Sequence, residues 1–186
     1  GISLQDMKIR CVSDSVIISI KKDITNSLEA IIWMCAAFQT TLFLNSHLLM
    51  RGYICCGDFY IDDEMLFGPA YQCAVILESK HNMPRILLDD AIDTTNMIDT
   101  EFLNKGIYDG KYFVDYMSLV VKTAYVGSKL ESVEGWIRES IEKFKDDEKN
   151  LTKYIWLVKY YNAMLSNSRG LSRFLINLED KNNGQT

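Results

Sequence analysis

Proline, histidine and glycine are scarce: two, two and ten in 186 residues. With prolines only at 69 and 84, long stretches of chain carry no built-in helix breaker. His47 and His81 are too far apart in sequence, and too few, to suggest a catalytic histidine pair. Five cysteines show no recurring Cys-x-x-Cys spacing, which argues against a disulfide framework or a zinc site, and their odd number fits a reducing compartment. Cys55 and Cys56 lie side by side in an apolar run without a flanking histidine and read as small strand residues. No glycine-rich loop ends in Lys-Ser or Lys-Thr, so a P-loop NTPase is not expected. The formal net charge of -5 leaves no basic stripe for DNA or an anionic membrane. The longest apolar stretch, from Ala30 to Leu44, is broken by Gln39, Thr40 and Thr41 and falls short of the roughly 20 residues that span a bilayer. It reads as a buried helix. No basic region with a following cleavage site opens the chain, and Gly1 in place of Met suggests a processed product, a tag remnant or missing upstream sequence.

What is present is patterned. A composition 48% hydrophobic and 24% charged supports one domain with a core, or one domain with a helical appendage. Met7 to Val12 and Val16 to Ile20 are rich in β-branched residues and flank Ser13-Asp14-Ser15, which predicts a tight hairpin with a carboxylate at its tip. A helix is expected from Thr25, Asn26 or Ser27 to about Met50. Gly52 to Gly57 suits a strand, Asp58 to Glu64 an acidic turn or hairpin, Ala70 to Ser79 a helix entered through Pro69, and Arg85 to Leu88 a buried strand. The resulting order, β-β-α-β-α-β, predicts an α+β fold, ferredoxin-like, with helices on one face of the sheet. Ile107 to Tyr116 is read as a strand pair around Gly110. The helical spacing of Val133, Trp136, Ile137, Ile141 and Phe144, then of Tyr154, Ile155, Leu157, Val158 and Tyr161, predicts one or two long helices. The expected organisation is a palm domain over 1–127, C-terminal helices over 128–178 and a polar tail over 179–186.

The stretch Met65-Leu-Phe-Gly-Pro-Ala-Tyr-Gln-Cys-Ala-Val-Ile-Leu-Glu-Ser79 resembles the helix motif of class III nucleotide cyclases, aromatic-Gly-Asp-x-Val-Asn-x-Ala-x-Arg-x-Glu-Ser. Phe67, Gly68, Ala74, Glu78 and Ser79 keep that pattern. Pro69 stands at the base-reading Asp, Gln72 at the Asn and Ile76 at the transition-state Arg. Val12-Ser-Asp-Ser-Val16 is placed like the family's metal-binding hairpin, and Arg51-Gly-Tyr-Ile-Cys-Cys-Gly57 like its Arg-x-Gly-Ile-x-x-Gly strand. Leu49-Met-Arg-Gly, Phe67-Gly-Pro-Ala, Leu77-Glu-Ser, Pro84-Arg-Ile and the late Lys153 to Asn162 are similar to a divergent bacterial branch that includes the pyrimidine cyclases of phage defence.

That resemblance implies a cyclase palm, a cytoplasmic homodimer, UTP or CTP as substrate, Mg²⁺ or Mn²⁺ as cofactor, and a downstream effector that senses the cyclic nucleotide. It places Asp14 on the metal, Arg51 on the triphosphate, and Tyr71 and Gln72 at the base, with Arg51 and Gln72 as the catalytic candidates. Each has a plainer reading: a turn aspartate, a cap on the long helix, core packing and a surface amide. Glu78 is expected to anchor structure, and Arg85 to bind either a carboxylate or a ligand. The family's first metal carboxylate, in an Asp-Ile-x-Gly motif before the hairpin, has no counterpart, since only thirteen residues precede Asp14 and Asp6 lacks the motif. Either upstream sequence supplies it, or the chain is a silent nucleotide-binding or dimerisation module of the same fold.

Overall fold

The computed structural model describes residues 4–97, 101–106, 109–123, 127–168 and 170–178. The chain divides into two compact units, one made of residues 1–38 and 50–116, the other of 39–49 and 117–186. The class is α+β. The expected tail over 179–186 lies outside the described residues, as do Ile107 and Tyr108 at the start of the expected strand pair.

In the first unit, β1 (Met7–Val12) and β2 (Ser15–Ile20) pair antiparallel from Met7↔Ile20 to Val12↔Ser15. Ser13 takes φ 55 at the turn, the left-handed geometry a two-residue hairpin needs at its first central position. The hairpin is a two-stranded sheet of its own and does not join the larger sheet as the ferredoxin-like expectation required. Helix α1 (Ser27–Ser46) follows; its buried positions, Ile32, Cys35, Ala36, Gln39, Thr40 and Phe43, recur at helical spacing. α1 is long and apolar enough to cross a bilayer by length and composition, but that buried stripe gives it the pattern of a core helix. It stops short of Met50 because His47 turns left-handed at φ 52, and the Leu48 N–H returns to the Leu42 carbonyl at 3.3 Å.

β3 (Gly52–Ile54), the ribbon of β4 (Tyr60–Ile61) and β5 (Leu66–Phe67), α2 (Pro69–Ser79) and β6 (Ile86–Leu88) come next. β3 and β6 are parallel, with Gly52↔Ile86 and Ile54↔Leu88 in register, so α2 is the crossover of a βαβ unit. β7 (Leu103–Lys105) and β8 (Tyr112–Val114) complete a four-stranded sheet of order β3-β6-β8-β7. The sequence placed one strand of that pair too late, because Leu103-Asn-Lys105 carries no apolar signature and is fixed by backbone pairing to β8. Ile86, Leu87 and Leu88 are all buried, which is why β6 reads as an unbroken apolar run.

Gly68 fixes the entry to α2. Its φ is 140, and a Cβ there would lie 2.6 Å from the Asp58 carbonyl oxygen and 2.9 Å from the Phe59 Cα. Only glycine lets the chain at Asp58-Phe59 pass so close, and Pro69 then starts the helix with its φ already set.

The second unit holds the last residues of α1 from Gln39 onward, α4 (Gly127–Lys143), α5 (Glu148–Ser166) and most of α3 (Tyr116–Thr123). Leu130, Val133 and Ile137 of α4 and Leu157, Val158, Tyr161 and Leu165 of α5 are buried. Trp136 meets Phe43 edge-on at 5.6 Å and Tyr154 at 6.0 Å, and its ring stacks on His47 at 5.1 Å. Asp147 breaks the two long helices apart, since its carboxylate accepts the Asn150 N–H at 3.1 Å and caps α5. Asn162 then holds the C-terminal segment with two bonds to Ile176, donating to its carbonyl at 2.8 Å and accepting its N–H at 3.0 Å.

Candidate functional site

The four residues singled out by the sequence all lie in the first unit, but no hydrogen bond, ion pair or ring contact joins them among the described residues. Asp14 is exposed at the tip of the β1–β2 turn. Arg51 neither caps α1 nor stands free. Its guanidinium pairs with Glu78 and donates to the His81 carbonyl at 3.3 Å, which ties the start of β3 to the C-terminal end of α2. Tyr71 is half-buried, with its ring 6.4 Å from that of Phe59, while Gln72 is exposed. Successive positions on a helix point about 100° apart, so these two side chains face different surroundings. Gln72 sits at the surface, Tyr71 is half-buried rather than in the core, and Glu78 is paired with Arg51.

The N-terminal turn of α2 offers a triphosphate little. Pro69 has no N–H, the Ala70 N–H is bonded to the Asp58 carbonyl at 3.2 Å, and the Gln72 N–H to the Gly68 carbonyl at 3.1 Å. These amides are consumed in closing the chain on itself rather than left for an anion.

Arg85, whose role the sequence left open, is a structural cation. It is 7% exposed, lies over the Phe113 ring at 5.6 Å and forms a two-point contact with the Asp109 carboxylate. Burial acts to raise the Asp109 pKa, but bonding to Arg85, the Lys111 N–H and the guanidinium charge outweigh it, and the net shift is downward. Gly106 makes room for this pair, since a Cβ there would run into the Asp109 carboxylate and lie 2.8 Å from Arg85 Nη1. Close by, Lys111 Nζ pairs with Asp90 at 3.2 Å. Burial, then the Lys111 and Arg85 charges, press His81 below its ordinary range.

The acidic cluster that could suggest calcium is held as a turn. Asp62 accepts the Glu64 and Met65 N–H groups at 2.8 and 2.6 Å and the Tyr60 hydroxyl at 2.6 Å. The neighbouring carbonyls of Asp62 and Glu64 receive Arg10 of β1 at 3.0 and 3.2 Å. The cleft this makes is lined by Lys8, Ile9, Arg10, Ile61, Asp62 and Asp63, none of them a site residue named from the sequence.

Among the described residues, one group of three ligand-bearing side chains is close enough to share a metal ion, and it does not include Asp14: Cys55, Cys73 and Asp89. This group shares no residue with the Mg²⁺ or Mn²⁺ site that the cyclase resemblance implies, for which Asp14 is the named ligand. The trio escaped notice in the sequence because its members are far apart in the chain and meet only through the βαβ crossover. Burial, with help from Cys73 and Asp89, keeps the Cys55 thiol well above its ordinary pKa. No family model, no curated protein and no solved structure matches the chain.

Proposed function

We propose that this chain is a class III-type nucleotide cyclase that converts UTP or CTP into a 3′,5′-cyclic pyrimidine mononucleotide with release of pyrophosphate. It would work as a cytoplasmic homodimer and feed an effector in defence against phage. The observation that carries the reading is a coincidence of order. The hairpin with Asp14 at its tip, the long helix α1, the Arg51-Gly52 entry to β3, the Gly68-Pro69 entry to α2 and the buried strand β6 follow one another where the resembled blocks fall.

In this reaction the ribose 3′-oxygen attacks the α-phosphorus and pyrophosphate leaves. Asp14, Arg51 and Gln72 are the named side chains exposed to solvent, and of these Arg51 is engaged with Glu78. Gln72 carries both a donor and an acceptor, suited to the edge of a pyrimidine. Exposed Phe67, Val75 and Ile76 give the same unit apolar surface that a second copy could cover.

Arg51 favours a second reading. A guanidinium spent on Glu78 and a carbonyl is not poised for phosphate, and with a single candidate metal carboxylate the chain would be a silent module that binds nucleotide or dimerises. Incubation with ATP, GTP, CTP and UTP plus Mn²⁺, followed by mass detection of cyclic products, separates the two. A cyclic pyrimidine that disappears in Asp14→Ala, with an unchanged melting temperature, supports the enzyme. No product from a dimeric chain overturns it in favour of the silent module.

A further inference from the structure

The ends of β3 and β6 are where this fold brings scattered donors together. Cys55 follows the last residue of β3 and Asp89 the last residue of β6; Ile54 and Leu88 are in register, and the Asp89 N–H donates to the Ile54 carbonyl at 2.9 Å. Two parallel strands therefore deliver a thiol and a carboxylate side by side at their C-terminal ends, the end of such sheets where ligands characteristically bind. The crossover helix α2 adds Cys73 from above. All three ligand atoms lie within 4.8 Å of one another, and Cys73 Sγ is 3.8 Å from Asp89 Oδ2. Tetrahedral coordination with bonds of about 2.3 Å to sulfur and 2.0–2.2 Å to oxygen sets ligand atoms roughly 3.5–3.8 Å apart. Little movement is needed. The other carboxylate oxygen, Oδ1, is held by the Ala91 N–H at 3.1 Å, the kind of outer contact that fixes a ligand's direction.

We propose that Cys55, Cys73 and Asp89 bind one thiophilic divalent cation of the zinc class. Two sulfurs and one oxygen select such an ion over Mg²⁺ or Ca²⁺, which favour oxygen alone. All three residues are half-buried, and three protein ligands would leave the fourth tetrahedral position to water, as in zinc sites that take part in chemistry rather than in closed structural sites. The site is separate from Asp14 and does not depend on the cyclase reading.

The test is titration of the reduced, metal-free full chain with Co²⁺. The expected result is a thiolate-to-cobalt charge-transfer band that saturates at one equivalent, is displaced by Zn²⁺ but not by excess Mg²⁺, and is accompanied by a rise in melting temperature. Cys55→Ser and Cys73→Ser each remove the band, Asp89→Asn weakens binding at least about tenfold, and Asp14→Ala and Cys11→Ser leave it intact. α2 buries none of its residues, so Cys73→Ser is not expected to disturb folding, and circular dichroism of each variant checks this. A reduced chain with no band, a band that survives loss of both Cys55 and Cys73, or a Cys55–Cys73 disulfide with no cobalt binding after reduction would each overturn the proposal.

Discussion

At the scale of single residues, Gly68 and the Arg85–Asp109 pair are the sharpest constraints. Gly68→Ala would force a side chain against the Asp58 carbonyl in a backbone conformation that L-residues avoid. A loss of about 1–3 kcal/mol is expected in urea unfolding. Asp109→Asn removes one carboxylate charge from beside the buried Arg85 guanidinium. The cost should reach about 3 kcal/mol, the low end for breaking a buried pair, because Asp109 retains some contact with water. The sign with pH follows from the depressed Asp109 pKa. The stabilisation is whole above the carboxylate's unfolded pKa near ~3.9 and is lost as pH falls through the lower folded value. The gap between wild type and Asp109→Asn in urea midpoint should therefore narrow as the pH falls below about 4, and a gap that persists in strong acid would refute the pairing. The sequence left Arg85 open between a carboxylate partner and a ligand contact, and Asp109 could not be chosen from it. Arg85 lies just before β6 and Asp109 between β7 and β8, so nothing local records the pairing.

At the scale of elements, periodicity was a good guide to helices and a poor one to strand edges. α1, α2, α4 and α5 were legible because each buries a stripe or begins at a recognisable cap. β7 was not, since three residues of mixed polarity become a strand only through a neighbour's backbone. Asp147 is the clearest cap, and Asp147→Ala, which removes the acceptor of the Asn150 N–H, should lower the urea unfolding midpoint. Arg51 tests which role an element junction plays. Its pair with Glu78 is well exposed, with side chains 43% and 29% accessible, so Arg51→Ala should lower stability by less than about 1 kcal/mol. If cyclic product falls by orders of magnitude against that small loss, Arg51 leaves Glu78 to engage phosphate during turnover. If product is unaffected, its role ends at the junction of β3 and α2.

At the scale of the whole molecule, the α+β class and the element order were legible, whereas the independence of the hairpin was not. Alternating residues in β1 and β2 announce two strands but do not say what lies beside them, and Ile9, Val12 and Val16 remain exposed. The candidate site divides in the same way. Asp14 could be placed at a turn from sequence alone, because a turn is local; the Cys55, Cys73 and Asp89 trio could not, because it exists only once a helix has carried the chain from one parallel strand to the next. Sedimentation of the full chain should show a dimer if the cyclase reading holds, with a monomer at all concentrations counting against it.

The two bonds from Asn162 to Ile176 make one helical side chain imitate a neighbouring strand. The C-terminal segment is thus held by that amide together with the buried Phe174 and Ile176 side chains, and the Ile176 N–H is protected by its bond to Asn162. Hydrogen exchange at Ile176 then reports an opening that need not involve the rest of the chain. In Asn162→Asp the acceptor survives but the donor becomes a carboxylate oxygen facing a carbonyl, so exchange there should quicken while the amides in the middle of α5 keep their pace.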